Sequence, residues 1–162
     1  MFIGKECIFG CKVKSHGLHP TCQVAIMSNS GKYVTALPNG TVNCMSDEIS
    51  SFEIWTVTFV SMNKVTFRSS HQKYLRAQIN STTEATRNDA GNCETFTVKY
   101  CNDGKFAFKS HFGTYLMVDD GSLLFNRPCV GDREMFCVIP QSDTNTDSQE
   151  KISSPSPGNP IQ

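Results

Sequence analysis

Apolar and polar residues alternate along most of this chain. Val24 and Ile26 share one face of an extended segment, as do Val65 and Phe67, and Phe106 and Phe108. Val34 and Ala36 alternate with Tyr33 and Thr35, and Trp55 and Val57 flank Thr56. A period of two marks a strand with one buried face, because successive side chains point to opposite sides of the backbone. No window carries a sustained 3.6-residue apolar stripe, so the pattern predicts an all-β chain. Ser30-Gly31, Asn39-Gly40, Asn102-Asp103-Gly104 and Asp120-Gly121 fall between the alternating runs. These residues tolerate the positive φ that tight turns demand.

The runs repeat. Val24–Ala36, Val65–Ala77 and Phe106–Val118 align without gaps, each 41 residues after the last. Tyr33, Tyr74 and Tyr115 keep that step, and so do Ser28, Ser69 and Ser110. A second signature follows each run: Glu53-Ile-Trp-Thr-Val57, Glu94-Thr-Phe-Thr-Val98 and Glu134-Met-Phe-Cys-Val138. With the turn signals, each repeat holds about four short strands. Units of four strands cannot each bury a face alone, whereas three of them closing on one another remove the open edges.

The expected architecture is a β-trefoil: three pseudo-repeats of about 41 residues with four strands each. Its core is expected to stack Val34, Leu75 and Leu116 in one layer and Trp55, Phe96 and Phe136 in another. Val57, Val98 and Val138 lie beside the second layer, and Ile26, Phe67 and Phe108 close the base. The division that follows is an N-terminal extension at 1–21, the trefoil at 22–140, and a tail at 141–162. The extension holds Phe2, Ile3, Ile8 and Phe9, which add a strand or pack under the barrel. The tail is polar and rich in Ser and Pro, a composition that predicts disorder.

Gly31-Lys-Tyr-Val-Thr-Ala36, Lys73-Tyr-Leu-Arg-Ala77 and Thr114-Tyr-Leu-Met-Val118, each followed by Glu-x-aromatic-x-Val, resemble the repeats of fascin. The similarity runs from about Gln23 to Pro140. It implies a fascin-like β-trefoil, and with it the fascin activity of cross-linking actin filaments. Fascins carry several trefoils in tandem and this chain has room for one. Bundling would therefore need two faces or a homodimer.

Charge narrows the partners. The 162 residues hold 15 Lys and Arg against 15 Asp and Glu, a formal net charge of zero. A protein that grips a phosphate backbone is normally basic, so nucleic acid is not an expected partner. No apolar run is long enough to span a bilayer, and the first residues lack the pattern of a signal peptide, which points to the cytosol; the resemblance to fascin implies the cytoskeleton there.

Eight cysteines are present, and in a cytosolic chain of this length they are expected to be reduced thiols. Cys44 and Cys137 stand at strand positions where other repeats carry apolar residues, and a buried free thiol packs as a small hydrophobe. Cys7, Cys11, His16, His19 and Cys22 cluster near the N-terminus, but their spacing fits no usual zinc pattern, so no metal and no cofactor are expected. His71 and His111 lie near serines in loops. No oriented nucleophile, base and acid stand out, and an enzyme is not expected.

What remains is recognition by a surface. Alternation turns Lys32, Arg68, Lys73 and Lys109 outward, and these residues with Arg76 form the expected contact with filamentous actin. The alternative is a trefoil module for a carbohydrate or another protein; a sugar site would want an exposed aromatic platform near Asp and Asn. A secreted trefoil cytokine ranks third, for want of a signal peptide and a basic cluster.

Overall fold

The computed structural model describes residues 7–13 and 19–142. The expected disorder of the tail falls almost wholly outside them, as do Phe2, Ile3 and His16. Twelve strands form one antiparallel sheet among the described residues. They are β1 (Thr21–Ser28), β2 (Tyr33–Ala36), β3 (Val42–Ser46), β4 (Trp55–Ser61), β5 (Lys64–Arg68) and β6 (Tyr74–Ala77). The second half follows with β7 (Thr83–Arg87), β8 (Phe96–Tyr100), β9 (Phe106–Lys109), β10 (Tyr115–Asp119), β11 (Ser122–Arg127) and β12 (Phe136–Pro140). Short 3-10 turns at Ser51–Glu53, Asn92–Glu94 and Asp132–Glu134 precede β4, β8 and β12. No helix here is long and apolar enough to cross a membrane.

Six strands close a ring. β1 pairs with β4, β4 with β5, β5 with β8, β8 with β9, β9 with β12, and β12 returns to β1. The other six form the hairpins β2–β3, β6–β7 and β10–β11. Each hairpin carries a register shift just after its tyrosine, at Tyr33/Val34, Tyr74/Leu75 and Tyr115/Leu116. The hairpins hold one another in a cycle. Cys44 N donates to Gly121 O, Ala85 N to Gly40 O and Phe125 N to Ser81 O, each at 2.8 Å. Donors and acceptors both advance by the repeat step.

The apolar face of every strand meets in one core. Val34, Leu75, Leu116, Trp55, Phe96 and Phe136 are all buried, as are Ile26, Phe67 and Phe108. Burying each such side chain fully is worth about 1.5–3 kcal/mol. Trp55 also finds a partner for its ring nitrogen, which donates to Val34 O at 3.1 Å. Phe9 seals the base of the ring. Its ring centroid lies 4.9 Å from that of Phe106 and 5.6 Å from that of Phe59. Phe9 is thus one of the residues that tie the extension to the core, with Cys7 and Cys11 buried in the same cluster.

The thiol expectation needs one correction. Cys11 and Cys22 are paired as a disulfide, while Cys7, Cys44, Cys93, Cys101, Cys129 and Cys137 are free. The pairing follows from packing, which sets the turn before Val13 against the start of β1. Cys44 is buried in β3, and that burial pushes its thiol pKa up, so it stays a neutral packing group.

Candidate functional site

The glutamate of each repeat signature is an internal cap. Gly91 N donates to Glu94 Oε1 at 2.7 Å and Gly131 N to Glu134 Oε1 at 2.6 Å, as Ser50 N does to Glu53 Oε1 at 2.7 Å. All three carboxylates are buried and take up a backbone donor at the start of a 3-10 turn. They shape the surface without being part of it.

The second carboxylate oxygen meets different partners in the first two repeats. Thr35 Oγ1 donates to Glu53 Oε2 at 2.7 Å. Arg76 Nε lies 3.8 Å from Glu94 Oε2, buried and with no hydrogen-bond partner. Arg76 therefore faces inward along the wall of a groove, and does not join the other four basic residues.

Those four sit at two repeat-equivalent pairs of positions. Lys32 and Lys73 follow the turns into β2 and β6; Lys32 is bound to the Asp47 carboxylate and Lys73 to the Asn88 side-chain oxygen. Arg68 and Lys109 end β5 and β9. Each stands opposite a tyrosine, Arg68 against Tyr74 and Lys109 against Tyr115. Each tyrosine in turn stands opposite an arginine on the next strand, Tyr74 against Arg87 and Tyr115 against Arg127.

Directly opposed residues share a sheet face and interact across the strands. The Lys109 ammonium accordingly lies 5.9 Å from the centre of the Tyr115 ring, a cation–π contact. The second and third repeats therefore each carry a basic–tyrosine–basic row. The first repeat carries Met27, Tyr33 and Ser46 in the same register.

Arg87 and Arg127 were not among the residues singled out from the sequence, although both are exposed. They lie outside the aligned motifs, at the far ends of β7 and β11. Their spacing of 40 residues, the step that separates Glu94 from Glu134, was the signal that could have found them.

Grooves separate the repeats, and the residue at one position decides whether each is open. Phe52 and His71 fill the junction of the first and second repeats, with ring centroids 4.8 Å apart. His71 Nε2 is also 2.9 Å from Ala36 O, which makes this histidine structural. One step on, Cys93 replaces Phe52 and leaves a groove of about 700 Å³ lined by Arg76, Arg87, Asn88, Asp89, Asn92 and His111, with Phe112 at its edge. Another step on, Arg133 and Ser30 stand where Phe52 and His71 did. They line a groove of about 610 Å³ with Lys32, Met45, Asp120 and Asp132.

The geometry offers positive charge, flat aromatic surface and shallow grooves, which suits recognition by contact. Comparison with known proteins sharpens this. No curated protein matches the chain. A fascin-domain family model matches residues 29–138, well over half of the chain and nearly the whole span of the closed ring and its hairpins. The chain belongs to the fascin-domain family.

Proposed function

We propose that this chain is a single fascin-like β-trefoil that binds filamentous actin in the cytoplasm, without catalytic activity. The family match over residues 29–138 carries the reading. The recurring hairpin bonds and closed strand ring support the trefoil, and the two basic–tyrosine rows support the partner. A filament with an acidic surface would be attracted to Arg68, Arg87, Lys109 and Arg127, with Lys32 and Lys73 adding charge at the turns into β2 and β6 and Arg76 held inward beside Glu94. Such attraction is screened by salt. Bundling calls for two filament sites, so a bundling form would be a homodimer or would use both rows separately. Co-sedimentation with filamentous actin tests the reading. Pelleting at low salt that weakens at high salt supports it, and no pelleting at low salt removes it.

A second reading rests on the open groove beside the third repeat. Phe112 is 40% exposed there, next to Asn88, Asp89 and Asn92. An exposed ring flanked by amides and a carboxylate is the surface a sugar would use. Binding to a glycan array without salt dependence, in a chain that fails to pellet with actin, would favour it.

A further inference from the structure

Three cysteines lie apart from the proposed filament surface and outside its logic. Cys7, Cys11 and Cys22 gather their sulfur atoms so that all lie within 4.8 Å of one another. Their residues are only 4%, 5% and 5% exposed. Local backbone geometry builds the cluster. Gly10 N donates to Cys7 O at 2.9 Å and Cys7 N to Cys11 O at 3.0 Å. Gly10 closes this turn at φ +84°, a conformation that glycine adopts without strain. The turn sets the Cys7 and Cys11 sulfurs 3.2 Å apart. Strand β1 then delivers Cys22, whose sulfur is 3.8 Å from that of Cys7.

We propose that, with Cys11 and Cys22 in the dithiol form, the three thiolates bind a zinc ion that staples the N-terminal turn to β1. Thiolates hold zinc at about 2.3 Å in a tetrahedral arrangement, which places neighbouring sulfurs about 3.8 Å apart. The separations from Cys7 to its two partners already approach that value. Chemistry points the same way. Thiolates taken out of water need a cation to offset the cost of burial, and soft sulfur donors select zinc over calcium or magnesium. Among the described residues no fourth His, Cys, Asp or Glu joins the group, so the three sulfurs are the proposed protein ligands. Metal and disulfide exclude each other, because the disulfide consumes two of the three ligands. Binding displaces the thiol protons, so zinc is lost as the solution is acidified.

The test uses the full chain, purified under reductant, loaded with zinc alone and dialysed. One zinc per chain should remain. Cobalt in its place should give the thiolate-to-metal charge-transfer absorption of a sulfur site. Cys7→Ser should lower zinc retention roughly tenfold or more, and Cys129→Ser, at an exposed free cysteine, should leave it unchanged. After unfolding with chelator present, all eight cysteines should react with a thiol reagent. A chain that keeps no zinc overturns the proposal, and one that also exposes only the six free thiols holds a plain disulfide. The proposal falls equally if Cys7→Ser keeps its zinc. Should Cys7→Ser lose its β-sheet circular dichroism, the cobalt spectrum of the unsubstituted chain decides, and a missing charge-transfer band overturns the site.

Discussion

The hydroxyl of Thr35 and the carboxylate of Glu53 meet at 2.7 Å inside the first repeat. Both are buried, and the same carboxylate also takes the Ser50 backbone and side-chain donors. Its counterpart Glu94 faces Arg76 one step on, and in the third repeat Met117 holds the sequence position of Thr35. Each repeat therefore keeps the backbone cap and varies what stands behind it. Replacing Thr35 with Val would leave a buried carboxylate oxygen without its donor. We expect Thr35→Val to lower stability by about 1–3 kcal/mol in urea denaturation.

The same site makes stability depend on acid. Burial by itself would raise the Glu53 pKa, but the hydrogen bonds from Ser50 and Thr35 outweigh it and hold the carboxyl below its ordinary value of 4.5. A group with a depressed native pKa stabilises the fold above its unfolded pKa, and that contribution is lost as pH falls through the native one. Thermal stability should therefore decline below the ordinary carboxylate range. In Ser50→Ala, which removes the hydroxyl donor to Glu53 and keeps the backbone one, this part of the decline should be smaller. A pH series of melting temperatures for both chains reads the difference.

Gly40 and Gly121 occupy equivalent turns at φ +93° and +82°, but they do not tolerate a side chain equally. A Cβ on Gly121 would come 2.6 Å from Met45 Cγ, the flexible part of an exposed side chain. A Cβ on Gly40 would run into Thr86 Cγ2, which is β-branched and stiff, and lie 3.3 Å from the Ala85 carbonyl oxygen. That carbonyl belongs to the residue whose N–H closes the hairpin cycle on Gly40 O. Gly40→Ala should lower the melting temperature more than Gly121→Ala, and both should cost more than the roughly 1 kcal/mol expected from the backbone alone.

Phe52 shows how one side chain shuts a groove. Its edge-to-face contact with His71 should contribute about 0.5–1.5 kcal/mol beyond the area it covers. Phe52→Ser should open a third groove, like the one that Cys93 leaves one step on, and lower stability by at least that amount in the same urea assay.

Much of this was legible in the sequence because it repeats. The step of 41 residues fixed Val34, Leu75 and Leu116 as equivalents, and the apolar alternation assigned them to the core, where they are buried. The Glu-x-aromatic signature was equally visible, but its capping role shows in the sequence only as Ser50 or a Gly three residues earlier, a pattern outside the aligned motifs. Phe9 lay outside every repeat, so nothing in the periodicity assigned it the base of the ring. The basic rows were half legible. Arg68 and Lys109 fell inside the aligned motifs, whereas Arg87 and Arg127 reach the same face only through hairpin pairing across a bulge. The place of Arg76 beside Glu94 was not legible, because alternation says nothing of a carboxylate in the groove wall.

The filament-binding account is tested most directly by pelleting of the Arg68→Glu/Arg87→Glu/Lys109→Glu/Arg127→Glu chain with filamentous actin at low salt, beside the unsubstituted chain. All four residues lie on the sheet face outside the core, so the melting temperature should stay within a few degrees. We expect the unsubstituted chain to pellet and the reversed chain to stay in the supernatant, with affinity reduced at least about tenfold. Equal pelleting of two equally stable chains would contradict the assignment of the filament contact to the rows around Tyr74 and Tyr115.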